Sequence, residues 1–389
     1  SDAAGAVANA DARADLDLTP TVQLVVPPER LRPWSPEDPH LYDLTVALVD
    51  ADGTPVDSVT GYAGIRSVAI DGRALRLNGA PVFQRLVLDQ GYWPDTLMTA
   101  PTDAALVRDI ELAMAAGFNG ARLHQKVFEE RFLYHADRLG YLVWGEFGDW
   151  GAAEHGPAGD EQQPTATFVT QWLEVLQRDH NHPAVVGWCP LNETRQLLHD
   201  RITVLDDVTR AMFLATKLAD PTRPVLDASG YAHRVAETDV YDSHNYEQDP
   251  ATFEAQVGGI ADGRAFTNVL DGGAPMSLPY AGQPYFVSEF GGIWWDPDAA
   301  DADGTDRDES WGYGARVRDE AEFHERFTGL TGALLADPGM FGYCYTQLTD
   351  LMQERNGIYR FDRSTKLDIE AVRKAQLRPA ASEAPAAEH

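Results

Sequence analysis

Glu193 closes the apolar run AVVGWCPLNE, and Glu289 sits near the end of a second, PYFVSEF (284–290). Two carboxyl groups held about 5–5.5 Å apart can cleave a glycosidic bond with retention, one attacking the anomeric carbon and the other giving and taking a proton. Other apolar runs end in residues of similar character: Asp89, Arg122, His124, Trp144, Glu146, Asn192, His244, Asn245, Tyr246, Gln347, Thr349 and Asp350. The set is rich in carboxylates, aromatics and amides. It holds no Ser or Cys beside a His, so the nucleophile is sought among the carboxylates.

The elements that must position these groups alternate between two rhythms. From Thr21 to Ile70 the chain reads as short β-branched segments, TVQLVV, LYDLTVALVD and SVTGYAGIRSVAI, separated by turn residues; these predict antiparallel β-structure. Beyond that, strand and helix alternate. VFQRLVL (82–88), FNGARL (118–123), YLVWGEF (141–147), AVVGWCPL (184–191), PVLDA (224–228), DVYDSHNY (239–246), PYFVSEF (284–290) and MFGYCYTQL (340–348) read as eight strands. Helices are expected at 102–117, starting on a Thr102 cap and stopping at Gly117, then at 128–140, 165–180, about 203–219, about 317–336 and from about Lys366. Strands this apolar are buried on both faces, as in a parallel (β/α)8 barrel. A doubly wound sheet would carry a glycine-rich phosphate loop after its first strand; here that position reads DQGYWPD. The fold class expected is therefore α/β, a (β/α)8 TIM barrel preceded by a partial antiparallel β-sandwich. The expected divisions are a flexible segment over 1–20, the sandwich part over 21–72, the barrel over 73–378 and a flexible tail over 379–389. In such barrels the catalytic groups gather at the C-terminal ends of the strands. There Glu193 and Glu289, on the fourth and seventh strands, face one another across the barrel. Asn192, beside Glu193, is placed to bond a sugar 2-hydroxyl.

A net charge of −30 argues against nucleic-acid and anionic-membrane partners. No apolar stretch approaches the length of a membrane span, and the N-terminus lacks the basic and apolar segments of a secretory signal; a cytoplasmic location is expected, with secretion open if a signal has been removed. Cys189 and Cys344 lie in apolar runs and read as buried free thiols. His180 and His182 read as structural, since zinc needs ligands on other strands in register. The acidic stretch 296–310 lacks the calcium-loop spacing and reads as a solvated insertion.

The chain resembles glycoside hydrolase family 2, the family of β-galactosidases, β-glucuronidases and β-mannosidases. The resemblance rests on GIRSVAIDGRALRLNGAPVFQRLVLDQGYWP, FNGARLHQKVFEERFLYHADRLGYLVWGE, RDHNHPAVVGWCPLNE and YFVSEFGG, and runs from about Trp34 to the end of the barrel. It implies Glu193 as acid/base, Glu289 as nucleophile and an immunoglobulin-like sandwich before the barrel. It also implies a sugar-binding domain and a complete sandwich ahead of these, so the chain is expected either to be a fragment or to have the rest supplied by another polypeptide. Two departures stand out. Thr194-Arg195-Gln196 follows the acid/base where an aromatic-glycine pair is expected, and the Asn-x-Lys pair that holds a glucuronide carboxylate is missing near Glu289, which disfavours a glucuronide.

The remaining site residues each carry two readings. Arg122 and His124 read as sugar contacts or as a structural ion pair at the rim. Glu146 reads as lining the site or as the partner of Arg122. His244 and Tyr246 share a strand face, and Tyr246 is placed to keep the nucleophile ionised. Trp294 and Trp295 offer a stacking surface for a sugar or a plug beneath their loop. Asp89 holds a hydroxyl or caps a turn, and Gln347 is a further substrate-binding candidate. No cofactor or metal is expected, because water and two carboxylates suffice. The expected partner is a carbohydrate substrate, with self-association into a homo-oligomer as a second expectation. The function expected is removal of a terminal sugar, β-galactosidase-like, with loops 148–164 and 291–316 walling the pocket. The alternatives are a carbohydrate-binding barrel without turnover and a metal-dependent hydrolase.

Overall fold

The computed structural model describes residues 1–14, 19–149, 166–194, 204–269, 272–297 and 310–383. The antiparallel part is a hairpin of β1 (Tyr42–Val49) and β2 (Pro55–Ala63), paired from Tyr42↔Ala63 outward. Residues 21–26, expected as a strand, are irregular. They have the β-branched composition of a strand but no partner to take up their backbone groups, and composition alone does not make a ladder. A small sheet follows, β3 (Val68–Asp71), β4 (Ala74–Leu77) and β5 (Ala80–Pro81). It runs across the expected junction at 72–73, and its Leu75 and Leu77 lie in the same hydrophobic core as the strands that follow.

Those strands form the barrel: β6 (Gln84–Asp89), β7 (Gly120–Leu123), β8 (Leu142–Glu146), β9 (Val185–Cys189), β10 (Tyr241–Asn245), β11 (Tyr285–Gly291) and β12 (Met340–Thr346). They make one parallel sheet in the order β10-β11-β12-β6-β7-β8-β9, in which the last strand pairs with the first. The stretch 224–229 fills the eighth place between β9 and β10. Trp188 N–H donates to the Pro224 carbonyl (3.1 Å) and Ser229 N–H to the Leu191 carbonyl (2.8 Å), with parallel bridges at Trp188↔Val225 and Asn192↔Ser229. β6, β7 and β9 to β12 are buried at every position, which is why their sequences lack a period-two alternation.

Helices α1 (Asp103–Ala115), α2 (Glu130–Leu139), α3 (Ala166–Asp179), α4 (Val204–Ala219), α5 (Pro250–Val257), α6 (Glu320–Ala336) and α7 (Ile369–Gln376) connect the strands. Thr102 caps α1 as its composition predicts, its side chain accepting from Ala105 N–H. Gly140 ends α2 at φ +75°, and a Cβ there would stand 2.4 Å from the Pro36 carbonyl oxygen. Glycine is thus required both by the left-handed turn and by the N-terminal segment packed on it. Among the described residues no helix is long and apolar enough to cross a membrane. Cys189 and Cys344 are buried free thiols.

One carboxylate ties the N-terminal part to the barrel. Asp137, on α2, is fully buried. Its Oδ2 accepts from the Tyr62 hydroxyl of β2 (2.7 Å) and lies 2.6 Å from His182 Nδ1, while its Oδ1 accepts from Ala184 N–H (2.8 Å). Its backbone carbonyl accepts from the indole of Trp34 (2.6 Å). The RDHNHP segment is therefore structural: His182 clamps the turn into β9, and His180 packs its Nδ1 against the last carbonyls of α3. An Asp137→Ala variant would strand these buried donors. Chemical denaturation is expected to show a loss of about 3 kcal/mol, with Asp137→Asn losing less.

Candidate active site

β9 carries Asn192 and Glu193 just past its end, and β11 carries Glu289. Glu193 has φ +51°, a conformation that costs a non-glycine residue energy and persists only where its surroundings enforce it. The enforcing bonds are at hand: Glu193 N–H donates to the Ser229 carbonyl (2.8 Å) and Asn192 N–H to Oδ2 of Asp149 (2.9 Å). The backbone therefore turns the Glu193 side chain toward the axis. One carboxyl oxygen of Glu193, one of Glu289 and a ring nitrogen of His244 lie within 4.8 Å of one another. The hydrogen bond of His244 to Glu193 accounts for that proximity without a metal ion.

Arg122, on β7, organises the floor. It is 1% exposed. Its Nε donates to Glu146 Oε1 (2.7 Å), one terminal nitrogen to the Ser288 carbonyl (2.6 Å) and Glu289 Oε1 (3.2 Å), and the other to Asn192 Oδ1 (3.1 Å). Its donors are thus directed to protein acceptors. Of the two readings of Glu146, the geometry gives the partner of Arg122: its second oxygen accepts from Gln125 N–H (3.0 Å). His124 differs. Its Nδ1 is buried, has no hydrogen-bond partner among the described residues, and lies 3.7 Å from Glu289 Oε1. Burial first, then the charge of Arg122, hold its pKa well below the ordinary histidine range, so the ring is neutral.

On the opposite side of Glu289, the Tyr246 hydroxyl donates to its Oε2 (2.5 Å) and lies 3.1 Å from the Thr346 hydroxyl. Tyr313, which the sequence did not single out, stacks on Tyr246 with ring centroids 3.4 Å apart. Next to Thr346, Gln347 joins a line of amides: Gln90 donates to its Oε1 (2.8 Å), its Nε2 donates to Asn356 (2.9 Å), and Asn356 donates to Glu354 Oε1 (2.9 Å). Burial pushes the Glu354 carboxyl up to about 7.

The other expected residues fall elsewhere. Asp89 caps a turn, accepting from Gly91 N–H (2.9 Å), and burial followed by the charge of Asp109 raises it to about 7. Trp295 is buried in the core and plugs the loop, its backbone N–H bonded to the Arg355 carbonyl (2.9 Å). Trp294 is partly exposed and donates from its indole to Ser310 (3.3 Å). Arg195, Gln196, most of the loop 148–164 and most of the acidic stretch 296–310 lie outside the described residues.

A closed parallel barrel with two carboxyl groups facing one another at its C-terminal mouth defines the class of barrel built for carbohydrate chemistry. The family profile described as "Glycosyl hydrolases family 2" matches residues 2–66, and that of its TIM barrel domain matches residues 95–259. The chain belongs to glycosyl hydrolase family 2. It is 30% identical over 215 residues to a beta-galactosidase of Vibrio cholerae serotype O1, covering 53% of this chain and 19% of that protein. To a beta-galactosidase of Aeromonas hydrophila it is 32% identical over 212 residues, covering 54% and 20%. The matched part thus spans about a fifth of these relatives. Among solved structures, the fold is similar to a GH2 beta-galacturonidase from Eisenbergiella tayi bound to galacturonate (TM-score 0.69, 19% identity, 91% of this chain and 61% of that one). It is also similar to the Bifidobacterium dentium beta-glucuronidase complexed with coumarin-3-O-glucuronide (0.71, 17%, 90% and 56%).

Burial raises the Glu289 pKa and the Glu193 charge adds to the rise, while His244, Arg122 and the Tyr246 hydroxyl favour the ionised form. Removing that hydroxyl in Tyr246→Phe takes away a bond worth about 1.5–3 kcal/mol. The Glu289 pKa is expected to climb a further one to two units or so, read by carboxyl ¹³C NMR titration.

Proposed function

We propose that this chain is the catalytic barrel of a retaining β-glycoside hydrolase that removes a terminal neutral sugar of the β-galactoside type. Glu289 is the nucleophile and Glu193 the acid/base. The observation that carries this reading is the approach of their carboxyl oxygens to within 4.8 Å, close to the ~5–5.5 Å of retaining enzymes and well short of the ~6.5–9.5 Å that leaves room for water in inverting ones.

In the first step Glu289 attacks C1 and Glu193 protonates the departing oxygen; in the second, Glu193 takes a proton from water, whose oxygen displaces Glu289 from C1. Arg122 and Tyr246, each bonded to a different oxygen of Glu289, aim the nucleophile and favour its charged form. Their role is positioning. The end of the Asn192 amide not bonded to Arg122 faces the task of holding the 2-hydroxyl, and His124 Nδ1, neutral and unpartnered, suits a neighbouring hydroxyl.

A neutral glycone is supported by charge. Glu354 belongs to the amide line ending at Gln347, and near it Lys366 pairs with Asp350 at 2.6 Å, while Arg355 lies 3.4 Å from Asp296. A sugar carboxylate set beside Glu354 would meet a like charge, which supports a neutral sugar. The beta-galactosidase relatives support the β-galactoside type.

The test is a panel of aryl β-glycosides with the wild type, Glu289→Gln and Glu193→Ala. The wild type is expected to turn over a neutral galactoside at least roughly tenfold faster than the galacturonide, since one mismatched polar contact is worth that much. Glu289→Gln is expected to lose more than roughly a thousandfold. Glu193→Ala is expected to keep most of its kcat/KM only on dinitrophenyl glycosides, whose departure needs no acid, while kcat falls because the second step has lost its base; added azide is expected to raise kcat again and to yield a β-glycosyl azide. Sugar binding by the folded wild type without any turnover would overturn the reading.

A further inference from the structure

His244 stands between the two glutamates. Its Nδ1 is 2.8 Å from Glu193 Oε1 and 3.4 Å from Glu289 Oε2, and its side chain is fully buried. The ring is clamped. Gly230, at φ +68°, lies flat against it, and a Cβ there would meet three ring atoms at 2.7 Å; Tyr231 closes on it edge-on with centroids 5.8 Å apart.

The surroundings fix its protonation. Nε2 lies 3.0 Å from the Ser229 hydroxyl, whose single proton has Asp242 Oδ2 (3.1 Å) and the Ser288 hydroxyl (3.3 Å) within reach; the carboxylate is the nearer and the stronger acceptor. Asp242 is a carboxylate: although burial opposes its charge, His233 outweighs that and lowers its pKa. His233 in turn sits between Asp227 (2.9 Å) and Asp242 (3.1 Å). Burial acts to lower its pKa, but the two aspartates hold it at about 10. With the Ser229 proton directed to Asp242, its oxygen is left to accept, and Nε2 must carry hydrogen. Nδ1 faces Glu193 Oε1 and, at 3.4 Å, Glu289 Oε2; a lone pair there would repel the ionised oxygen of Glu289, and hydrogen on Nδ1 serves whichever of the two is charged. Both nitrogens protonated make an imidazolium.

We propose that His244 is a permanent cation shared by the two catalytic glutamates, pairing with whichever of them bears the negative charge at each stage. This rests on the assignment of Glu289 and Glu193 given above. In the resting site Glu289 is the anion and Glu193 carries the acid proton. During the first step that proton moves to the glycosidic oxygen, the C1–O bond to the leaving group breaks and the bond from Glu289 to C1 forms. Glu289 is then a neutral ester and Glu193 the anion, 2.8 Å from the same imidazolium. In the second step water gives its oxygen to C1 and its proton to Glu193, and Glu289 leaves as the anion. The charge summed over the three groups is zero throughout. Glu193 keeps 28% of its side chain exposed, so the bond to His244 leaves it a face toward the leaving group.

The groups facing His244 decide the balance. Burial alone would lower its pKa. Glu289 on β11 and Glu193 past β9 outweigh that and raise it, against the opposing charge of Arg122 on β7. His124 on β7 is neutral, and Asp242 acts through Ser229. The sign for the reaction follows: a nearby cation favours ionised Glu289, so removing it raises the Glu289 pKa.

The test compares pH profiles of kcat/KM for wild type, His244→Gln and Ser229→Ala on the glycoside the panel selects. In His244→Gln the acid limb, which reports ionisation of the nucleophile, is expected to move up by on the order of one pH unit, with the plateau falling roughly ten- to hundredfold. Ser229→Ala, which cuts the relay behind the ring, is expected to move the limb the same way by less, and serves alone if the first variant does not fold. A lowered plateau with an unmoved limb in both variants would mean a structural role, and an unchanged profile would mean none; either overturns the shared cation. Retained turnover in Glu289→Gln would instead overturn the assignment of the nucleophile.

Discussion

A guanidinium with almost no contact with water must be surrounded by acceptors, because a buried unpaired charge is among the most unfavourable things a fold can contain. Arg122 meets this demand with Glu146, Glu289, Asn192 and the Ser288 carbonyl. These acceptors come from β8, β11 and the end of β9. The need to neutralise and bond one arginine therefore fixes the relative positions of the strand ends from which the site is built. Glu289 is held by the same interaction that satisfies the core.

Much of this was legible in the sequence, for definite reasons. The barrel strands are legible because strands buried on both faces are continuous apolar runs. The two glutamates are legible because each stands where such a run ends, whereas Glu146 carried two readings, lining the site or partnering Arg122, until its bonds were seen. The segment 21–26 misled because β-branched composition signals a strand whether or not a partner exists. Tyr313 was not found: it follows an acidic stretch with no periodicity, and its importance arises only from stacking on Tyr246. Ser229 and Asp242 escaped for a related reason. They are small polar residues within buried strands, and what they do depends on a proton's direction, which no spacing records. The sequence read Asp89 and Trp295 each in two ways, and the three-dimensional neighbourhood adds that Asp89 accepts from Gly91 N–H and that Trp295 packs in the core.

The chain carries a large excess of acidic residues, yet the site holds its cations in the interior. Arg122 lies at the floor, His233 in the wall, and Lys366 against Asp350. Each is matched by carboxylates close by, and buried carboxyl groups outnumber buried arginines and lysines, so the acidic excess of the chain extends into the interior. Surface charge is screened within about 10 Å at moderate salt, whereas buried pairs are screened much less. The interior groups therefore act on one another with little interference from the acidic exterior.

The barrel wall is not uniform. Around Glu289 the strand is paired on both sides, with β10 and with β12, although the register shifts at Ser243/His244 and between Val287 and Phe290. Between 224–229 and β10, however, the described backbone pairing thins to the bond from Asp239 to Val225, and side chains such as Ser229 and Asp242 bridge the remainder. Glu193 hangs from this seam by its bond to Ser229. The two carboxyl groups accordingly differ in how they are mounted: Glu289 lies within a strand flanked on both sides, whereas Glu193 stands past a strand end. In the proposed roles, the group that bonds a single carbon is the one set inside the sheet, and the group that serves first a departing alcohol and then a water is the one set at its seam.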